Sequence, residues 1–289
     1  MITINHLGAK NCVTGSCHLI QTQPGAAHSI NILVDCGKAQ GHDPELPFDQ
    51  FPVPQKKIHY LFLTHDHIDR VPDLIEAGFK GEIICTHATK TLLLPMHSPS
   101  RVETPDRRKK LEAAIDDLSW GFELYETFTL KKGISFTLYN ASHILGSCFI
   151  RFTFPRHCPT PQSHLPKNPP TQHSVIFSGD LGCTNTPILP DPDVPPSCDF
   201  LILESTYGDR NHTRREHRIV TLEHLLEKAL ADNGIVYIPA FSLGRTQELI
   251  YELDRIKTKV PVFIDSPLGL KITKIYADLE GFWDQEAME

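Results

Sequence analysis

Residues Thr64 to Arg70 read T-H-D-H-I-D-R and follow the apolar run Tyr60-Leu61-Phe62-Leu63. His65, His67 and Asp69 stand at alternate positions just past a segment with the character of a buried strand. Imidazole nitrogen and carboxylate oxygen at this spacing suit zinc or a similar divalent ion. An isolated H-x-H is weak, because a single histidine is more often a satisfied core or surface residue than a ligand. Three further groups join it. Asp35 ends Leu33-Val34-Asp35-Cys36-Gly37, His143 lies in Ala141-Ser142-His143-Ile144-Leu145-Gly146, and Asp180 lies in Phe177-Ser178-Gly179-Asp180-Leu181-Gly182. Each follows a stretch of strand character and sits mostly beside Gly or Ser. Loops at one edge of a sheet sandwich could bring all of them to one point.

The elements that must position these groups fall into two parts. Up to about residue 206 the chain reads as short strands: Ile2–Leu7, Cys17–Thr22, Ile30–Val34, Ile58–Leu63, Glu82–Cys85, Ile134–Tyr139, Ser147–Phe154, Ser174–Phe177 and Phe200–Leu203. Ile58–Leu63 is continuously apolar, as a strand covered on both faces would be. A helix is expected from Pro72 to Ala77. A second is expected over Arg107–Trp120, where apolar residues at 111, 115 and 118 alternate with charges. Pro155–Pro170 holds six prolines and reads as an exposed loop, and Pro187–Pro196 as a connector. Beyond residue 206 the order changes. Helix Arg214–Ala231, strand Ile235–Ile238, helix Arg245–Ile256 and strand Val260–Ile264 suggest a partial, Rossmann-like unit. The expected domains are 1–206 and 207–289.

Composition bounds the possibilities. Hydrophobic residues make up 40% of 289, enough for a substantial core. No run of eighteen apolar residues predicts a membrane span, and Met1-Ile-Thr-Ile-Asn-His-Leu-Gly lacks the form of a signal peptide. Eight cysteines are scattered without a C-x-x-C pair, which suggests free thiols in a reducing compartment, the cytoplasm. A net charge of −7 does not advertise a nucleic-acid binder. Two basic patches stand out, one at Arg101 and 107–110, one at Arg210, Arg214, Arg215 and Arg218. For each, a solvated helix face is the alternative.

Together the motifs resemble the metallo-β-lactamase superfamily. Val13-Thr14-Gly15-Ser16-Cys17-His18, Leu203-Glu204-Ser205-Thr206-Tyr207-Gly208 and the run Ile238 to Glu248 are similar to its β-CASP branch of RNA-processing nucleases. The resemblance implies an α/β fold: an αββα sandwich followed by a partial Rossmann-like β-CASP segment. It implies a zinc-dependent hydrolase acting on single-stranded RNA. His65, His67 and His143 would hold one metal. Asp180 would bridge to a second ion served by Asp69, and Asp35 would orient a histidine ligand. Asp69, Asp180 and Glu204 are the implied catalytic carboxylates. Ser205, Thr206, Ser242, Gly244 and Arg245 are candidates for phosphate contact, with a plain strand-to-helix turn as the alternative for the last three.

The chain departs from this pattern. The family motif is H-x-H-x-D-H, and here Asp69 is followed by Arg70-Val71-Pro72, as though an H-x-G triplet were lost. Arginine stays protonated and offers no lone pair, so it cannot serve as the missing ligand. Further histidines that relatives carry beyond this point are also expected to be missing. One tightly held zinc, a weak or empty second site, and exposed apolar edges prone to self-association follow as expectations. A catalytically inactive RNA- or protein-binding module is the alternative function, and a small-molecule hydrolase of the same fold a third.

Overall fold

A computed structural model describes all residues except 24, 27, 67–69, 98–103, 156–171, 212–216, 232–233, 257–260 and 289. The chain divides into two compact units, 1–184 with 191–204, and 185–190 with 205–289.

The first unit holds eleven strands and three α-helices among its described residues. In chain order these are β1 (Ile2–Gly8), β2 (Cys17–Thr22), β3 (Asn31–Val34), β4 (Tyr60–Phe62), α1 (Val71–Glu76), β5 (Glu82–Thr86), α2 (His87–His97), α3 (Pro105–Leu118), β6 (Ser119–Phe122), β7 (Thr127–Thr129), β8 (Ser135–Asn140), β9 (Cys148–Pro155), β10 (Gln172–Phe177) and β11 (Phe200–Ile202). They form a six-stranded sheet in the order β1 to β6 and a five-stranded sheet in the order β11-β10-β9-β8-β7. β3 to β6 run parallel, while the second sheet is antiparallel except where β11 joins β10.

Alternation along the strands makes the layers. Ile32 and Val34 of β3 face the second sheet and pack with Phe62, Phe136, Phe152 and Phe177. Leu33, between them, faces the other way, with Leu61 and Ile83, against Val71 and Leu74 of α1, Leu93 of α2 and Ile115 of α3. Both faces of the parallel strands are therefore buried, which accounts for their unbroken apolar sequence. Each large side chain so buried contributes roughly 1.5–3 kcal/mol. On the outer face of the second sheet Ala141, Phe149 and Ile176 pack with Tyr139, Leu181 and Cys198.

The second unit contains α4 (Arg218–Ala229), α5 (Arg245–Arg255) and α6 (Pro267–Asp278). Here the structure corrects the expected Rossmann-like alternation. Ile235–Ile238 and the described part of Val260–Ile264 are not strands. Ile235, Tyr237 and Phe263 are 78%, 84% and 87% exposed. A parallel strand exists only through hydrogen bonds to a neighbour and cover on its faces, and among the described residues these two runs have neither. No helix among the described residues is long and apolar enough to cross a membrane.

Candidate metal centre

Three loops deliver the candidate ligands. β4 ends two residues before Thr64, and Thr64 is tied to the adjacent strand end. Its N–H donates to Asp35 Oδ1 at 2.8 Å, and its hydroxyl lies 3.0 and 2.9 Å from the two carboxylate oxygens. The same hydroxyl lies 3.0 Å from His65 Nδ1. A threonine hydroxyl has one proton to give. If Asp35 receives it, the oxygen accepts from His65 Nδ1–H, and the lone pair of His65 is then on Nε2. In that arrangement Asp35 and His65 are linked through the Thr64 hydroxyl. Burial pushes the Asp35 carboxyl up to about 7, against the pull of its two hydrogen bonds from Thr64.

The His143 loop is held by Ser147, whose hydroxyl accepts from the N–H groups of His143 and Ile144 at 2.8 and 3.2 Å. It is tied to the first ligand loop where Cys148 N–H donates to Thr64 O at 2.7 Å. The Asp180 loop docks on it, since Gly182 N–H donates to Ala141 O at 2.8 Å. That approach needs glycine: a Cβ on Gly182 would lie 1.7 Å from Ser142 O. Glu204 braces the same loop. Its Oε1 accepts from Leu181 N–H at 2.8 Å, and its own N–H donates to Ser178 Oγ at 3.0 Å.

The result is a convergence of His65, His143 and Asp180, with ligand atoms all within 4.8 Å of one another. His65 Nε2 and His143 Nε2 lie 3.8 and 3.7 Å from Asp180 Oδ2. The two rings meet edge to face with centroids 5.2 Å apart. Bonds of about 2.0–2.2 Å in a tetrahedron separate neighbouring donors by about 3.3–3.6 Å. The two imidazole-to-carboxylate separations fit one divalent ion with a small contraction. Two imidazoles and a carboxylate are also the donor types that suit zinc. His67 and Asp69 lie outside the described residues.

Arg70, which follows Asp69 directly, is turned away from any ligand role. It is buried. Its Nη1 donates to Leu46 O at 3.1 Å, its Nε lies 3.5 Å from Glu45 Oε1, and its guanidinium stacks 3.9 Å above the Phe48 ring.

The phosphate candidates belong to the second unit. Gly244 starts α5 with φ +79°. Its N–H donates to Gln247 Oε1 at 2.8 Å, Arg245 N–H to Leu243 O and Thr246 N–H to Phe241 O, both at 3.1 Å. Ser242 Oγ lies 3.2 Å from Ser266 Oγ, and Arg245 pairs with Glu248 at 2.6 Å. Ser205 and Thr206 open the turn closed by Gly208 N–H on Ser205 O at 3.0 Å. Of the basic residues singled out above, Arg107 and Arg108 pair with Glu76 and Glu112, Arg210 with Asp209, and Arg218 with Glu252.

Sequence reasoning missed Thr64, Ser147 and the bracing by Glu204. A hydroxyl residue directly before the first histidine and another four residues after His143 were the available signals.

Comparison with known proteins agrees with the motifs. The chain is 30% identical to Ribonuclease TTHA0252 of Thermus thermophilus over 96% of its length and 62% of the relative's. It is 30% identical to Endoribonuclease ysh1 of Schizosaccharomyces pombe over 94% and 35% of the two chains. It is 27% identical to Cleavage and polyadenylation specificity factor 73 of Drosophila melanogaster over 96% and 40%. The chain therefore spans between about a third and five-eighths of the length of these relatives. The metallo-beta-lactamase superfamily model matches residues 11–238, and the chain belongs to that superfamily.

Proposed function

We propose that the chain is a zinc-dependent hydrolase of phosphodiester bonds in single-stranded RNA, of the RNA-processing ribonuclease type. The observation that carries this reading is the convergence of His65, His143 and Asp180 in a chain whose relatives are named ribonuclease and endoribonuclease. His65, His67, His143 and Asp180 would hold one zinc. Asp69 and Asp180 alone would make the second site weak or empty. Zinc at this place supplies a Lewis acid for a phosphoryl oxygen and acidifies water near neutral pH. Thr64 and Asp35 fix the ring and tautomer of His65, and Glu204 holds the Asp180 loop. Ser205, Thr206, Ser242, Gly244 and Arg245 are proposed to meet phosphate; to do so, Arg245 would have to leave Glu248. The described cysteines are free thiols, which suits the cytoplasm as the proposed compartment.

A second reading has its own support. The motif histidine after Asp69 is missing, and Arg70, which follows Asp69, is committed to Glu45, Leu46 and Phe48. A chain without the histidine that follows Asp69 in the family motif could bind RNA or a protein partner without cutting. Labelled single-stranded RNA incubated with the zinc-loaded chain separates the two. Cleavage that falls about a hundredfold or more in Asp180→Ala supports the hydrolase. RNA binding with no cleavage supports the inactive module, and lactam or thioester turnover without RNA binding contradicts both.

A further inference from the structure

Asp66 sits directly between His65 and residues 67–69. It is 0% exposed, and neither carboxylate oxygen accepts a well-directed hydrogen bond among the described residues. Facing it is His97, with Nε2 3.0 Å from Asp66 Oδ1 and the side chain 7% exposed. The approach is close, though poorly angled for a hydrogen bond. His97 is the last residue of α2.

α2 holds the other ligand loop too. Thr86, just before it, and Thr89, in its first turn, both donate their hydroxyls to Gly146 O, at 2.7 and 2.9 Å. Gly146 lies three residues beyond His143. One end of α2 is thus fixed to the loop carrying His143, and the other end meets the loop carrying His65.

A buried polar pair is a poor device for stability, because apolar residues of the same volume usually do as well or better. What it does supply is a unique position. We propose that Asp66 and His97 form a latch fixing the His65 loop to α2, with His97 a positioning residue that acts through Asp66 on the geometry of the metal centre. This inference rests on the metal reading of that centre.

The test uses the full chain, zinc as ligand, and cobalt as a probe whose visible absorption reports ligand geometry. Wild type is titrated first, and failure to bind zinc at all would overturn the metal reading itself. His97→Ala leaves a buried carboxylate unpaired and should lower the melting temperature by on the order of 10 °C. Asp66→Ala/His97→Ala removes both partners and should recover most of that loss. The latch predicts that this double variant still binds zinc at least about tenfold more weakly than wild type and shows an altered cobalt spectrum. Zinc affinity within about twofold of wild type with an unchanged spectrum would show a structural pair only, and would overturn the latch.

Discussion

At the scale of single residues, the centre depends on groups that touch no ion. Thr64 is the clearest, because its hydroxyl lies between the Asp35 carboxylate and His65 Nδ1. Thr64→Val keeps the shape and removes the bridge. Zinc affinity should fall about 10- to 100-fold, with a loss of roughly 1–3 kcal/mol in stability as Asp35 loses a donor. Thr64→Ser should restore both; isothermal titration and urea denaturation measure them. His18 gives a pH signature of a different kind. Burial first, and then the neighbouring charge of His6, lowers its pKa to about 4 from 6.5. The unfolded chain therefore binds more protons across that window, so stability is lost as pH falls from 6.5 through 4. The loss should total roughly 3 kcal/mol. His18→Gln should flatten that part of the stability profile. His65, His143 and Asp180, which the fold brings together, were legible in sequence because metal binding restricts residue types. Thr64 and Ser147 were not, since hydroxyl residues near histidines are common and only the folded loops show which atoms they reach.

At the scale of elements, the ligand loops are packed against one another. Gly182 shows how closely: Gly182→Ala places a methyl group within 1.7 Å of Ser142 O. That variant should lose roughly 2–4 kcal/mol of stability and most of its zinc affinity. Equal stability by chemical denaturation would contradict the packing described here. The alternation and apolar runs of β1–β5 and β8–β11 made those strands readable, because burial on one or both faces is written into composition. β6 and β7 were missed. β6 follows α3 without a break, and its exposed Trp120 was read as the helix end. The helix α2 was missed too, because Pro95 lies inside it. The strands expected at 235–238 and 260–264 had the right composition, but a strand's existence depends on a partner that no local pattern can supply.

At the scale of the whole molecule, apolar surface lies open in the second unit and on β11. Phe241 and Phe263 are 67% and 87% exposed, and Phe200 and Leu201 of β11 59% and 48%. Unpaired backbone beside such side chains invites association. The isolated chain should sediment as a concentration-dependent mixture of species; a monodisperse monomer at high concentration would contradict this. The relatives are longer than this chain, so activity is a separate question from the metal centre, and the centre can be tested by itself. The decisive measurement is the zinc content of the purified chain by mass spectrometry under native conditions, beside His143→Ala and Asp180→Ala. One tightly held zinc, lost in both variants while the fold persists, is the expected result. No zinc in the wild type, or two tightly held equivalents, would contradict a single centre built by His65, His143 and Asp180.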